Sequence, residues 1–261
     1  MDFEKFYDKQ SDYVAFRNDS GKREDYTITV DWKVRKLVQL LPDSFKAGNI
    51  LEIGCAFGIL LNNIADRLHL QKRLGIDISG NNIEEAKKFF PECNFFHGTL
   101  EEFIRIIPDE ILNHKYDLVV LSDIVEHIPD DRGFMKTVKE MSIYVLLNLP
   151  LEKSFNTRNR QYGEQDPSGH LRCYDERDAI KLVTDAGFEV VTSFTEIGFF
   201  DKSFYRMYTR NRKARVRLKP LPLRIFWSVF YLGEDMLKLM NRKFTEKIIG
   251  TNYFALLKSV N

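Results

Sequence analysis

Between residues 49 and 197, short β-branched and aliphatic runs alternate with amphipathic stretches, and this alternation restricts the fold more than any other feature of the chain. NILEI (49–53), RLGIDI (73–78), NFFHG (94–98), YDLVVLSD (116–123), IYVLLNLP (143–150) and FEVVTSFTEI (188–197) read as strands. FGILLNNIADRLHL (57–70), NNIEEAKKFF (81–90), LEEFIRIIPDEIL (100–112), DRGFMKTVKEM (131–141) and DERDAIKLVTDA (175–186) read as helices. Strands that are apolar at nearly every position need cover on both faces. The pattern therefore predicts an α/β, doubly wound, largely parallel sheet with helices on each side. Ahead of it, Val30, Val34, Leu37, Val38 and Leu41 predict a helix from about Thr29 to Leu41, stopped by Pro42. Residues 1–28 are polar and aromatic without a clean period. Residues 199–248 break the alternation with a basic and aromatic segment, and TNYFALLKSV (251–260) closes the chain as a strand with no crossover helix of the parallel kind before it.

The 261 residues suffice for one large domain with a full core. Cys55, Cys93 and Cys173 cannot all pair with one another and form no metal-like cluster, and the charged N-terminal stretch MDFEKFYDKQSDY is unlike a secretion signal. No 18-residue apolar run is present, so the expected location is the cytoplasm. The net charge of +1 hides an asymmetry: residues 202–247 hold thirteen Lys/Arg against three acids, while the remainder holds 26 against 35. A basic segment on an acidic body suggests an anionic partner, with a solvated basic face as the plainer alternative.

The loop LEIGCAFG follows an apolar strand and opens a helix. Gly54 and Gly58 permit a tight turn and a close ligand, although an ordinary strand-to-helix turn has the same two glycines. A dinucleotide loop requires GxGxxG; here Ala56 replaces the second glycine, and Glu52 beside the loop disfavours a pyrophosphate while favouring a cationic ligand. Asp77, ending the next strand 23 residues after Gly54, is placed to accept both hydroxyls of a ribose.

Taken together, LEIGCAFG, GIDIS, YDLVVLSDIVEHIPD, VLLNLP and GHLRCYDERDAIKLVTDAGFEVV resemble the successive motifs of class I S-adenosylmethionine-dependent methyltransferases, nearest to the group modifying small molecules, lipids, quinones and sugars. The resemblance covers roughly residues 30–198 plus 251–260. It implies a seven-stranded sheet of order 3-2-1-4-5-7-6 with the last strand antiparallel. It also implies a cofactor-covering segment at 1–28, a Rossmann-like domain at 29–198 and 249–261, and an acceptor-binding cover at 199–248. S-adenosylmethionine is the implied cofactor and S-adenosylhomocysteine its product. Glu52, Gly54, Cys55 and Gly58 would surround the methionine part, Asp77 the ribose, and Ile78, Thr99 and Leu100 the adenine, with Glu101 substituting where relatives place an acid at Thr99. Ser122, Asp123 and Ile124 would complete that site at the end of the fourth strand.

Methyl transfer from a sulfonium is an in-line displacement governed by positioning; it calls for no metal, and a general base matters chiefly for a hydroxyl acceptor. His127 and His170 are the two candidate bases, each with a structural role as the alternative. Tyr7 and Tyr13 would close over the cofactor, Arg172 and Tyr174 would orient the acceptor, and Arg210 and Arg212 would bind its phosphate. The acceptor expected on this reading is a small anionic molecule, a phosphorylated or nucleotide-linked sugar, methylated on oxygen. An N-, lipid or quinone methyltransferase touching a membrane through the basic, aromatic insertion is the alternative, and the same surface would suit a homodimer. An NAD-dependent oxidoreductase is a further reading, disfavoured by Glu52 and Ala56. A nucleic acid partner is not expected, since no recognition module accompanies the charge.

Overall fold

The computed structural model describes residues 2–9, 12–106 and 115–260. Its strands are β1 (Asn49–Ile53), β2 (Lys72–Asp77), β3 (Asn94–His97), β4 (Tyr116–Ser122), β5 (Ser142–Leu151), β6 (Phe188–Glu196) and β7 (Thr251–Ser259). They form one sheet in the order β3-β2-β1-β4-β5-β7-β6. The first five pair in parallel, while β7 runs antiparallel between β5 and β6. The terminal strand thus occupies the place that its sequence, lacking a crossover, left for it.

Period-two alternation sorts the strand residues into two cores. Leu51, Ile53, Val119, Leu121, Val145 and Leu147 pack on one face, against Met135 and Val138 of α7 (Asp131–Met141) and Ala179 and Val183 of α8 (Glu176–Asp185). Ile50, Leu118, Val120, Leu146 and Phe254 face the other way, against Val34 and Leu37 of α3 (Ser20–Val38) and Leu61 and Ile64 of α4 (Ile59–Arg67). Each such side chain, fully buried, contributes about 1.5–3 kcal/mol. Burial on both faces is what excludes a one-sided antiparallel sheet for these strands.

The N-terminal region departs from the sequence expectation. α3 begins at Ser20 rather than near Thr29, because Asp19 caps it by accepting the Gly21 and Lys22 amides. Its polar first half hid the helix from hydrophobic periodicity. Two further short helices, α1 (Phe3–Lys9) and α2 (Asp12–Asn18), precede it. Between the strands, α5 (Gly80–Phe89) follows β2 and α6 (Leu100–Ile106) follows β3; the rest of the helix read over 100–112 lies outside the described residues.

The insertion folds as α9 (Lys202–Arg217), α10 (Leu221–Met240) and α11 (Arg242–Ile249). α9 packs outside α3: the Phe204 ring lies 5.4 Å from Trp32, Asp201 accepts from Arg35, and Arg210 pairs with Glu24 and Asp25. Arg212 is buried and donates both its terminal nitrogens to Asp235 of α10.

Phe254 ties sheet and helix together, with Trp32 edge-on at 5.5 Å and Phe194 stacked at 5.4 Å, and it is fully buried. Phe254→Ala is expected to lower unfolding stability by about 3–5 kcal/mol, as urea denaturation followed by circular dichroism would measure.

Candidate active site

A cavity of about 510 Å³ opens at the carboxyl ends of β1, β2 and β4, where ligands collect in open α/β sheets. Gly54 forms part of its floor. The Gly54 and Cys55 amides both donate to the Ile76 carbonyl, which bends the loop back over β2. Gly54 has φ +79°, and a Cβ there would meet Ile124 Cδ1 at 3.0 Å, so a side chain would be strained and would crowd the floor. Gly58 shapes the loop from behind: its φ is +72°, a Cβ would reach Phe95 at 2.7 Å, and it does not line the cavity.

Asp77 reaches the cavity from the tip of β2. One carboxylate oxygen accepts the Ala56 amide at 2.8 Å and the other accepts the Ser79 amide at 2.8 Å, while burial pushes the carboxyl above its ordinary range. Ile78, Thr99, Leu100 and Glu101 continue this wall. Thr99 also caps α6. Its hydroxyl accepts the Glu102 amide and Glu102 accepts the Thr99 amide, which engages the group expected to meet adenine.

Glu52 is not on the cavity. It alternates with Leu51 and Ile53 onto the α3/α4 face, where burial drives its carboxyl well above the usual range and the Leu61 amide opposes that shift. The expectation that it draws a cationic ligand into the pocket is therefore corrected: the carboxyl is buried on the helix side of β1, against α4. Cys55 is likewise buried, facing Gly75. Ser122 is turned to Asn148, which donates to both the Ser122 hydroxyl and Asp123. Asp123 and Ile124 do line the cavity, and Asp123 is ion-paired with Lys33 of α3 at a backbone φ of +52°.

The opposite wall holds both histidines. His127 sits in the 3-10 turn Val125–His127 after β4, and His170 in the loop before α8, with their rings edge-on at 4.7 Å. His127 Nδ1 lies 2.9 Å from the Gly169 carbonyl, which can only accept, so the proton resides on Nδ1; the Tyr7 hydroxyl is 3.0 Å from the same nitrogen. Burial lowers its pKa to about 4, leaving a neutral imidazole and a weak base. His170 Nδ1 is 2.7 Å from the Glu152 carboxylate.

Aromatic residues of α1 and α2 close the top: Phe3, Phe6, Tyr7, Tyr13 and Phe16 line the cavity, with the Tyr13 ring within 6 Å of Tyr7, Phe16, Tyr26 and Phe57. Tyr7 and Tyr13 thus stand where the sequence expected them, and Ile128, Pro129, Phe134 and Pro167 join them without any sequence signal beyond apolarity.

Four expected acceptor contacts lie elsewhere. Arg172 donates to the Ile128 and Pro129 carbonyls and Tyr174 to Asp131, so both brace the turn carrying His127 from outside. Arg210 and Arg212 are held in the ion pairs of α9 described above, and no described residue of 199–248 lines the cavity. Their charge is spent on Glu24, Asp25 and Asp235 rather than on a phosphate.

The family model described as "Methyltransferase domain" matches residues 26–193 of this chain. The chain belongs to the methyltransferase-domain family. Its sheet order and glycine loop are those of the class I, S-adenosylmethionine-dependent methyltransferases that the motifs resemble. Among solved structures, an O-methyltransferase from a polyketide synthase multienzyme of Brevibacillus brevis, in complex with S-adenosylhomocysteine, is similar at 13% identity and TM-score 0.56, over 87% of this chain and 71% of that one. Magnesium protoporphyrin IX methyltransferase from Synechocystis PCC 6803 with bound S-adenosylhomocysteine has 18% identity and TM-score 0.55, over 75% and 92%. An uncharacterized Rickettsia prowazekii protein, RP028, is 31% identical over 87 residues, which is 33% of this chain and only 34% of that relative.

With Gly54 on the floor, Gly54→Val is expected to weaken binding of S-adenosylhomocysteine at least about tenfold, about 1.4 kcal/mol or more, from the strain of a β-branched residue at positive φ and the contact with Ile124. Calorimetric titration of the folded variant checks it.

Proposed function

We propose that this methyltransferase transfers the methyl group of S-adenosylmethionine to a hydroxyl of a small acceptor whose body is apolar or aromatic and carries no phosphate. The composition of the cavity wall supports this reading above all: aromatic and aliphatic side chains, two histidines at one end, and no Lys or Arg among the described lining residues. Asp77, Glu101 and Asp123 are the acids there, Asp123 already paired with Lys33, and they disfavour a phosphorylated acceptor. The expected nucleotide-linked sugar finds no counter-cation among the described lining residues, and the reading moves to an uncharged acceptor.

The residues present suit the cofactor. Gly54 keeps the floor open, Asp77 offers carboxylate oxygens for a ribose, and Ile78, Leu100 and Ile124 offer apolar walls for an adenine. Bound there, the cofactor supplies an electrophilic methyl group. The chain's own part is to hold and to exclude water: Phe3, Phe6, Tyr13 and Phe16 shield the reacting atoms, and alignment of this kind accounts for about 7–11 kcal/mol of a typical barrier. His127 and His170, with their Nδ1 atoms engaged, present Nε2 as the acceptors for an incoming hydroxyl. That the Brevibacillus brevis structure is of an O-methyltransferase agrees with transfer to oxygen.

A specific surface feature favours a second reading, delivery of a lipophilic acceptor from a membrane surface. Leu221, Ile225, Phe226, Val229, Phe230, Leu232 and Met236 of α10 are each more than half exposed, beside Arg217, Lys219 and Arg224. Among the described residues no helix is long and apolar enough to cross a membrane, so α10 would rest on an anionic bilayer. Sedimentation with phosphatidylserine vesicles at low salt tests this: no binding overturns it, and concentration-dependent dimerisation without vesicles assigns the face to a second copy instead.

Two measurements test the main reading. Asp77→Asn, replacing one acceptor oxygen with a donor, is expected to cost about 1.5–3 kcal/mol of S-adenosylhomocysteine affinity, roughly ten- to a hundredfold. A mass-spectrometric acceptor screen is expected to show methyl gain on hydroxylated aromatic or isoprenoid compounds; gain confined to phosphorylated sugars would refute the acceptor class.

A further inference from the structure

Directly behind the histidine wall lies a buried carboxyl, that of Glu126. Glu126 is 1% exposed, and neither of its carboxylate oxygens meets a hydrogen-bond donor among the described residues. Burying a carboxyl group with so few donors around it is costly unless something else satisfies it. It is aimed at the histidines: Glu126 Oε1 lies 3.8 Å from His127 Nε2, and one donor atom from each of Glu126, His127 and His170 falls within 4.8 Å of the others.

The two imidazoles are oriented in the manner of metal ligands. His127 donates Nδ1–H to the Gly169 carbonyl, and the Glu152 carboxylate takes the Nδ1 side of His170. With Nδ1 of each ring so engaged, Nε2 is the nitrogen left to meet a ligand. Backbone carbonyls and carboxylates play this supporting role behind metal-bound histidines generally. Glu152 is itself anchored by Arg160, which also grips buried Asp166, and Asp166 accepts the Ser168 and His170 amides, so the loop carrying His170 is held on several sides.

We propose that Glu126, His127 and His170 form a binding site for one divalent transition-metal ion that opens onto the cavity. Two imidazoles and one carboxylate suit Mn²⁺, Fe²⁺, Co²⁺ or Zn²⁺ better than Mg²⁺ or Ca²⁺, which prefer all-oxygen sets. Metal–ligand bonds near about 2.1 Å require the three donors to close by roughly an ångström at most. A three-residue set leaves coordination positions free. Because His127 and His170 line the cavity, those positions face the place assigned to the acceptor. There the ion would bind an acceptor oxygen and lower the pKa of its hydroxyl. This role rests on the methyltransferase reading; the existence of the site does not.

The test uses the full chain, stripped with a chelator and titrated with Co²⁺, read by visible absorption and calorimetry, with a separate S-adenosylhomocysteine titration of each protein. The expected result is one Co²⁺ per chain. Glu126→Gln and His170→Asn are each expected to weaken it by roughly 100-fold or more while leaving S-adenosylhomocysteine affinity unchanged. Glu152→Gln, which weakens the hold on the His170 ring and on Arg160 without removing a ligand, is expected to weaken it about tenfold. Absence of saturable Co²⁺, Mn²⁺ and Zn²⁺ binding by the folded wild-type chain, or wild-type affinity in both ligand variants, overturns the site. Co²⁺ binding without any affinity for S-adenosylhomocysteine would support the site and overturn the reading of its role.

Discussion

Both oxygens of the Asp77 carboxylate accept backbone amides, one from Ala56 in the loop after β1 and the other from Ser79 at the start of α5. Two loops from adjacent parallel strands are thereby fixed at one spacing, and the cavity floor is the gap between them. Charge-assisted bonds to backbone amides are among the stronger hydrogen bonds in a protein, and at a buried position they lose little to water. Gly54 stays free of side chain at the bottom, and Ala56 is drawn into a left-handed turn at φ +44°. The opposite wall depends on this as well, because Ile124 packs against Gly54 and leads into the turn that carries Glu126 and His127.

Residues that act through the backbone or through period-two burial were legible in the sequence. The strands announced themselves because both their faces are buried, and Gly54, Gly58 and Asp77 because few residue types satisfy a positive φ or a strand-end acceptor at that spacing. Side-chain facing was less accessible. Glu52 sits one residue from the cavity-lining Ile53, and only strand alternation decides that it points to the helices of the other face. The start of α3 was hidden for another reason: its first turns are polar, and Asp19 caps it without any apolar rhythm to reveal it. The nearness of Glu126 to His170 was hidden too, since they stand 44 positions apart in the chain.

The basic insertion shows why a local charge surplus is poor evidence for an anion site. Thirteen Lys/Arg against three acids looks like a phosphate-binding surface until the tertiary neighbours are counted in. Glu24 and Asp25 of α3 come up against Arg210, and Asp235, one of those three acids, is folded onto Arg212 between Tyr208 and Tyr231. Arg210 and Arg242 thus pair with acids of the body, and Arg212 with an acid of the insertion itself. What the insertion leaves without intramolecular cover is the apolar side of α10, a surface that no count of charges reveals.

α1 and α2, of seven residues each, are too short to hold their shape without partners, so the cavity's roof exists only while docked. Its docking is mixed in character. Arg17 donates to Asn82 at the start of α5 and to the Asp8 carbonyl, and the Ser79 hydroxyl donates to the Asp8 side chain, so a polar latch joins the roof to the same loop that Asp77 fixes. On the other side the Tyr7 hydroxyl reaches His127. Aromatic edges between these anchors are individually worth about 0.5–1.5 kcal/mol and tolerate sliding in a way that the latch does not. The roof is thus held by polar anchors on both sides with aromatic contacts between them.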